Sequence, residues 1–213
     1  MKVVTKPVTA FMQNTRFITC EETGDTAILD PGGDAHLLLG HIASNNLTVK
    51  CILLTHGHLD HVGASVEIAS KLDIQIIGPT EDERFWFDAL PMQSQMFGFD
   101  PHEVFYPDRW LEHGEVFNLG NLNFEVRHCP GHTPGHIVFY EASKQALFVG
   151  DVLFKGSVGR TDFPKGNSEQ LKTSIKTQLF TLPDDVEVFS GHGPNTSIGY
   201  EKAHNPFMSG RFG

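Results

Sequence analysis

The amino-acid sequence predicts an α/β domain in which sheets pack between helix layers. Three observations lead there. Strand-like and helix-like stretches mix in both halves without strict alternation, which suits layered sheets and helices. Cys51-Ile52-Leu53-Leu54 is a continuous apolar run, the pattern of a strand buried on both faces. The chain has 213 residues, enough for a full core, and residues 1–213 read as a single domain.

The elements follow in order. Phe17–Cys20 and Thr26–Leu29 are short β-prone runs joined by a turn holding Gly24 and Asp25. Asp30-Pro31-Gly32-Gly33 ends the second run. Ala35–Ser44 has helical apolar spacing, Cys51–Leu54 is the buried strand, Val62–Leu72 is helical and Ile74–Ile77 is a strand. Glu81–Phe99 is aromatic-rich and partly helical. Its Met92, Met96, Phe97 and Phe99 either line a pocket or pack the segment onto the core. Strands at Leu122–Arg127, Ile137–Tyr140 and Ala146–Val149 come next, then a helix at Ser168–Thr177 and a strand at Val186–Phe189.

The formal net charge of −10 disfavours nonspecific binding to nucleic acid or an anionic membrane. Met1–Met12 is interrupted by Lys2, Lys6 and Pro7 and lacks the apolar stretch of an export signal. No segment approaches the ~20 apolar residues of a membrane span. Cys20, Cys51 and Cys129 lack the paired spacing of a disulfide framework. Cys51 reads as a core residue, and Cys129 as either packing or site wall. The expectation is a cytoplasmic protein with no nucleic-acid, membrane or obligate protein partner.

Thr55-His56-Gly57-His58-Leu59-Asp60-His61 directly follows the buried strand. Three imidazoles and a carboxylate within six positions are more than a solvated loop spends. Three further candidates each lie at the end of a predicted strand beside glycine: His132 after Gly131, Asp151 after Gly150, and His192 after Gly191. Ligands gathered from loops at strand ends are how open α/β folds build sites. Imidazole and carboxylate suit zinc, iron or manganese, so the donor set alone does not choose among them. His136 could orient a neighbouring ligand, whereas His36, His41, His102 and His113 read as surface residues.

The His-x-His-x-Asp-His spacing, followed in order by His132, Asp151 and His192, resembles the metallo-β-lactamase superfamily. The resemblance implies a four-layer αββα sandwich and two divalent metal ions, zinc first among them. It places His56, His58 and His132 on one ion and Asp60, His61 and His192 on the other, with Asp151 bridging. Two cations ~3.5–4 Å apart can share a water and ionise it near neutral pH. Asp60 and Asp151 are then the catalytic carboxylates.

Within the superfamily the chain is most similar to the short bacterial glyoxalase II type, the hydroxyacylglutathione hydrolases. Thr55–His61, Gly131–His136, Gly150–Phe154 and Gly159-Arg160-Thr161-Asp162-Phe163 carry the likeness, together with Ile198–Glu201 and Asn205–Phe207. This implies hydrolysis of S-D-lactoylglutathione to glutathione and D-lactate, a step of methylglyoxal detoxification. Arg160 matches a position where longer members contact a glutathione carboxylate, and Lys155 would assist. Alternatively, Arg160 only pairs with Asp162. The run Gly191-His192-Gly193-Pro194-Asn195 departs from the longer enzymes, which carry a glutathione-binding tyrosine there and a further helical domain.

True metallo-β-lactamases are exported and lack the bridging aspartate, nucleases bring basic surface or an added arm, and flavodiiron members put Glu where His58 stands. The rival is a persulfide dioxygenase with one iron on the positions of His56, His132 and Asp151, which shares the Gly159–Phe163 stretch. A thioester substrate suits the chemistry, because a thiolate of pKa ~8.5 leaves with little help from an acid.

Overall fold

Apolar residues placed next to one another in the strands, rather than alternating with polar ones, require cover on both faces of a sheet. The computed structural model, which describes residues 1–209, satisfies that need with two sheets and two helix layers. The first sheet is β1 (Lys2–Val8), β2 (Gln13–Thr19), β3 (Asp25–Leu29), β4 (Thr48–Leu53) and β5 (Gln75–Ile77), paired in that order. Pairing is antiparallel from β1 to β3 and parallel from β3 to β5. Parallel neighbours need crossovers, which are α1 (Ala35–Asn45) and the pair α2 (Leu59–Val62) and α3 (Ser65–Leu72).

The second sheet holds β6 (Val116–Leu119), β7 (Leu122–His128), β8 (Ile137–Glu141), β9 (Ala146–Gly150), β12 (Glu187–Ser190) and β13 (Thr196–Ser197), in the spatial order β13-β12-β9-β8-β7-β6. A small hairpin of β10 (Leu153–Phe154) and β11 (Ser157–Val158) stands apart. In chain order α4 (Arg84–Asp88) and α5 (Leu90–Phe97) come between the two sheets, and their Phe87 and Leu90 join the apolar cluster of α1 and α3. Helices α6 (Ser168–Ser174) and α7 (Ile198–His204) follow in the second half.

Three buried clusters define the layers. Ile18, Leu29 and Leu53 meet Phe124, Phe139 and Phe148 between the sheets. Their sequence neighbours Phe17, Ile28 and Ile52 point the other way, onto Leu38 of α1 and Ile68 of α3. On the far side, Val138, Leu147 and Val149 pack on Leu171 and Ile175. The order is helix, sheet, sheet, helix, the αββα sandwich. Burial of this much apolar side chain is the main favourable term in folding.

Four expectations need correction. The helix expected over Val62–Leu72 breaks at Gly63-Ala64, where Ala64 N–H donates to Pro31 O at 2.9 Å. A Cβ on Gly63 would lie 2.6 Å from Gly32 O, so only glycine permits this approach. Strands β1, β6, β10, β11 and β13 lie outside the strands expected from the sequence. Residues Ile175–Leu179 continue α6 as a π-turn. His41 and His102 are half-buried rather than exposed, and His102 Nε2 lies 2.9 Å from Gly63 O. The three cysteines are free and buried, with Cys129 in the core under α6. Among the described residues no helix is long and apolar enough to cross a membrane.

Candidate metal centre

The strand ends of both sheets open on one point. From the first sheet comes the loop between β4 and α2, carrying His56, His58, Asp60 and His61. From the second come His132 after β7, Asp151 after β9 and His192 after β12. The structure therefore brings all seven expected residues together.

They fall into two groups. His56 Nε2 and His132 Nε2 each lie 3.1 Å from His58 Nδ1. Asp60, His61 and His192 form a second triad suited to a cation, as His56, His58 and His132 form the first. Asp60 Oδ2 is 3.2 Å from His192 Nε2. Asp151 stands between the groups. Its Oδ1 is 3.3 Å from His61 Nε2, and its Oδ2 is 3.6 Å from His192 Nε2 and 3.8 Å from His132 Nε2.

The outer hydrogen bonds assign the imidazole tautomers. His132 Nδ1 donates to Arg160 O at 2.6 Å, and His192 Nδ1 donates to Phe11 O at 3.1 Å. His61 Nδ1 donates to Asp30 Oδ2 at 3.0 Å. Thr55 Oγ1 gives its own proton to Asp30 Oδ2 at 2.7 Å, so at 2.9 Å it accepts from His56 Nδ1. Each of these four rings in its neutral form thus turns an Nε2 lone pair inward. His61 Nε2 and Asp151 Oδ1 are buried with no hydrogen-bond partner. Converging lone pairs and orphaned buried acceptors call for positive charge among them, and the residues present fit a pair of cations.

Electrostatics agree. Burial pushes His56 and His58 well below the usual imidazole range, helped by neighbouring rings, and lowers His132. Burial also opposes charge on His61, yet Asp151 and Asp60 raise it well above that range. His192 is raised against its burial by Asp60 and Asp151. Burial works against the charge on Asp151 too, but His61, His192 and His132 hold its carboxyl far below the usual carboxylate range. Divalent cations would take over the role of the protons on His61 and His192, so affinity for them should fall in acid.

Sequence reasoning missed two supporting residues. Asp30, at the end of β3, is 2% exposed and holds Thr55 N–H at 2.8 Å as well as Thr55 Oγ1 and His61. It sits at a strand end beside Gly32 and Gly33, the same signature that marked Asp151. Glu83 is fully buried and accepts Gly57 N–H at 3.1 Å and Gly135 N–H at 2.6 Å, so one carboxylate clamps both histidine loops. Burial raises it from 4.5 to about 7, against the pull of those two N–H groups. His136, expected to orient a neighbour, is buried and accepts the Asp151 N–H at 3.1 Å.

The two substrate-binding candidates separate. Arg160 lines the cavity over the triads. Its guanidinium makes two hydrogen bonds to Asp162, at 2.7 and 2.6 Å, and lies 4.0 Å from the ring centre of Phe163. Lys155 is not brought to the cavity, and its ammonium lies 5.6 Å from the ring centre of Tyr200. Met92, Met96, Phe97 and Phe99 do line the cavity.

Known proteins resemble this chain in sequence and fold. The family model described as the metallo-beta-lactamase superfamily matches residues 8–192. Hydroxyacylglutathione hydrolase GloC of Haemophilus influenzae is 48% identical over 212 residues, covering 99% of this chain and 100% of that protein. Among solved structures, BLEG-1 B3 metallo-beta-lactamase superposes with a TM-score of 0.90 at 36% identity, covering 98% of this chain and 100% of the other. TTHA1623 in a di-iron-bound form gives 0.87 at 33% identity, covering 96% and 99%. Joined to seven converging ligand-type residues on an αββα frame, these likenesses establish that the chain belongs to the metallo-beta-lactamase superfamily.

Proposed function

We propose that residues 1–213 act as one domain that hydrolyses glutathione thioesters, with S-D-lactoylglutathione as the reference substrate. The observation that carries the reading is the placement of Asp151 between two complete triads. His56, His58 and His132 would hold one cation, Asp60, His61 and His192 the other, and Asp151 would bridge. The likeness to GloC supports the thioester. Zinc is the proposed metal, and the likeness to di-iron TTHA1623 makes iron the first alternative. Three free, buried cysteines suit a reducing, cytoplasmic setting.

A pair of cations held there supplies a nucleophile from water at neutral pH and polarises the thioester carbonyl. The chain's own groups do the rest. Asp60 and Asp151 are both held ionised, and among the described residues they are the only carboxyl side chains lining the cavity. Neither can protonate a leaving group. That favours a thioester over an amide, because a thiolate of pKa ~8.5 departs without a proton.

The test is metal content joined to anaerobic turnover. Purified without chelator, the protein should carry two metals per chain and cleave S-D-lactoylglutathione without oxygen. A single iron per chain, an intact thioester and oxygen uptake driven by glutathione persulfide would make it a dioxygenase instead.

A further inference from the structure

The cavity over the metal centre has a volume of about 450 Å³. Its rim is an arc of aromatic rings drawn from three separate segments. Phe11, in the β1–β2 turn, stacks on Phe99 at 5.3 Å and meets Phe97 edge-on at 6.1 Å. Phe97 meets Phe163 at 6.1 Å, and Phe163 lies 6.0 Å from Trp86 and 5.4 Å from His58. The arc thus runs from open solvent down to a metal-triad residue.

Trp86 is buried at the foot of the arc, but the outer side chains are not core. Phe11 is 45% exposed, Phe97 37%, and Met92 and Met96, on the same wall, 48% and 62%. A contiguous apolar surface left open beside a catalytic centre marks a binding site. Charge points the same way. Among the described residues Arg160 is the one Lys or Arg on the lining, and Asp162 already holds it in two hydrogen bonds. Among the described residues of this arc the two carboxylates of a glutathione arm would find no free cation, and burying them unpaired is costly.

Resting on the thioester-hydrolase reading, we infer that the arc receives the acyl arm of the thioester, and that the preferred acyl group is apolar, aromatic or medium-chain, rather than a short hydroxyacyl group. The reaction is the same hydrolysis. Water oxygen forms the new bond to the carbonyl carbon, both of its protons pass to solvent, the C–S bond breaks, and the thiolate leaves with its electron pair. The glutathione arm then extends toward solvent past Arg160.

The experiment compares acetyl, butanoyl, hexanoyl, 2-methylpropanoyl and D-lactoyl glutathione, each rate divided by that thioester's own hydroxide-catalysed rate. In the metal-loaded protein kcat/KM should rise about fourfold for each methylene buried. The 2-methylpropanoyl ester, which puts a methyl where lactoyl has a hydroxyl, should lead by about tenfold. Phe97→Ala and Phe163→Ala should each cut the step per methylene below about twofold. A flat series, or D-lactoyl ahead of 2-methylpropanoyl, overturns the inference. Calorimetry on the acids separates the two readings. Phenylacetate should bind at least about tenfold more tightly than D-lactate, and the advantage should vanish in both variants. If no thioester is cleaved yet phenylacetate keeps that advantage, the hydrolase reading fails and the apolar assignment stands. Equal binding of the two acids overturns the assignment whatever the turnover.

Discussion

The two sheets deliver their shares of the metal centre by different means. The first sheet spends one loop, in which backbone bonds such as His61 N–H to His58 O at 2.9 Å set four side chains at once. The second sheet spends three loops, and its residues meet only because their strands are in register. β9 and β12 run parallel with a bulge between Phe189 and Ser190, and Gly191 N–H donates to Gly150 O at 2.7 Å. A contiguous loop tolerates local change and keeps its shape. A site assembled by register transmits any shift of a strand straight to the ligands.

The sharpest test removes one residue from each share. Asp151→Ala and His58→Ala should each lower kcat/KM by more than the ~100-fold typical of supporting residues, with fewer than two metals retained. Near-normal turnover in the Asp151 variant, with both metals bound, would sink the bridging role. Gly191→Ala displaces ligands without removing one. Its Cβ would lie 2.3 Å from Asp151 Oδ1 and 2.8 Å from His61 Cε1. Misplacement of a reacting group by an ångström can cost about 100-fold, and that loss is expected in kcat, with the melting temperature nearly unchanged.

Glu83→Gln addresses the clamp that ties both shares together. Glu83 in the folded chain titrates at about 7, above the ordinary 4.5. Between those values the folded state keeps a proton that the unfolded state has lost, so stability falls as pH rises through that window. In metal-free protein the substitution should erase this slope. It should also cost about 1–3 kcal/mol, because an amide can accept only one of the two N–H groups. Urea melts at pH 5 and pH 8 give both numbers, and equal slopes in the two proteins would refute the clamp. The smallest effect is expected at Arg160. Its pairing with Asp162 leaves little for a substrate carboxylate, so Arg160→Ala should raise KM by less than about tenfold.

What could be read from the sequence follows the same division. His56, His58, Asp60 and His61 announce themselves because their spacing is local. His132, Asp151 and His192 are legible only as strand-end residues beside glycine, once the first motif gives a reason to look. Asp30 shares that signature but lies 31 positions from the ring it holds. Glu83 sits in Glu81-Asp82-Glu83, a run that looks solvated until tertiary packing buries its last member. Strand β1 is hidden by Lys2, Lys6 and Pro7. It is an edge strand paired only with β2, so it needs no continuous apolar run. The helix break at Gly63 is set by the nearness of Gly32, which no local pattern encodes.

The backbone passes from one sheet to the other once. Residues 2–77 complete the first sheet, and the second begins at Val116. Across the seam, Asn14 N–H reaches Gly191 O at 2.7 Å and Arg16 Nη2 reaches Ser190 O at 2.8 Å. A nick in the crossing, at the left-handed Gly98 that ends α5, would turn the chain into two fragments, each holding an incomplete set of donors. The ions then become the clasp of a split protein, and zinc titration would report fragment reassembly.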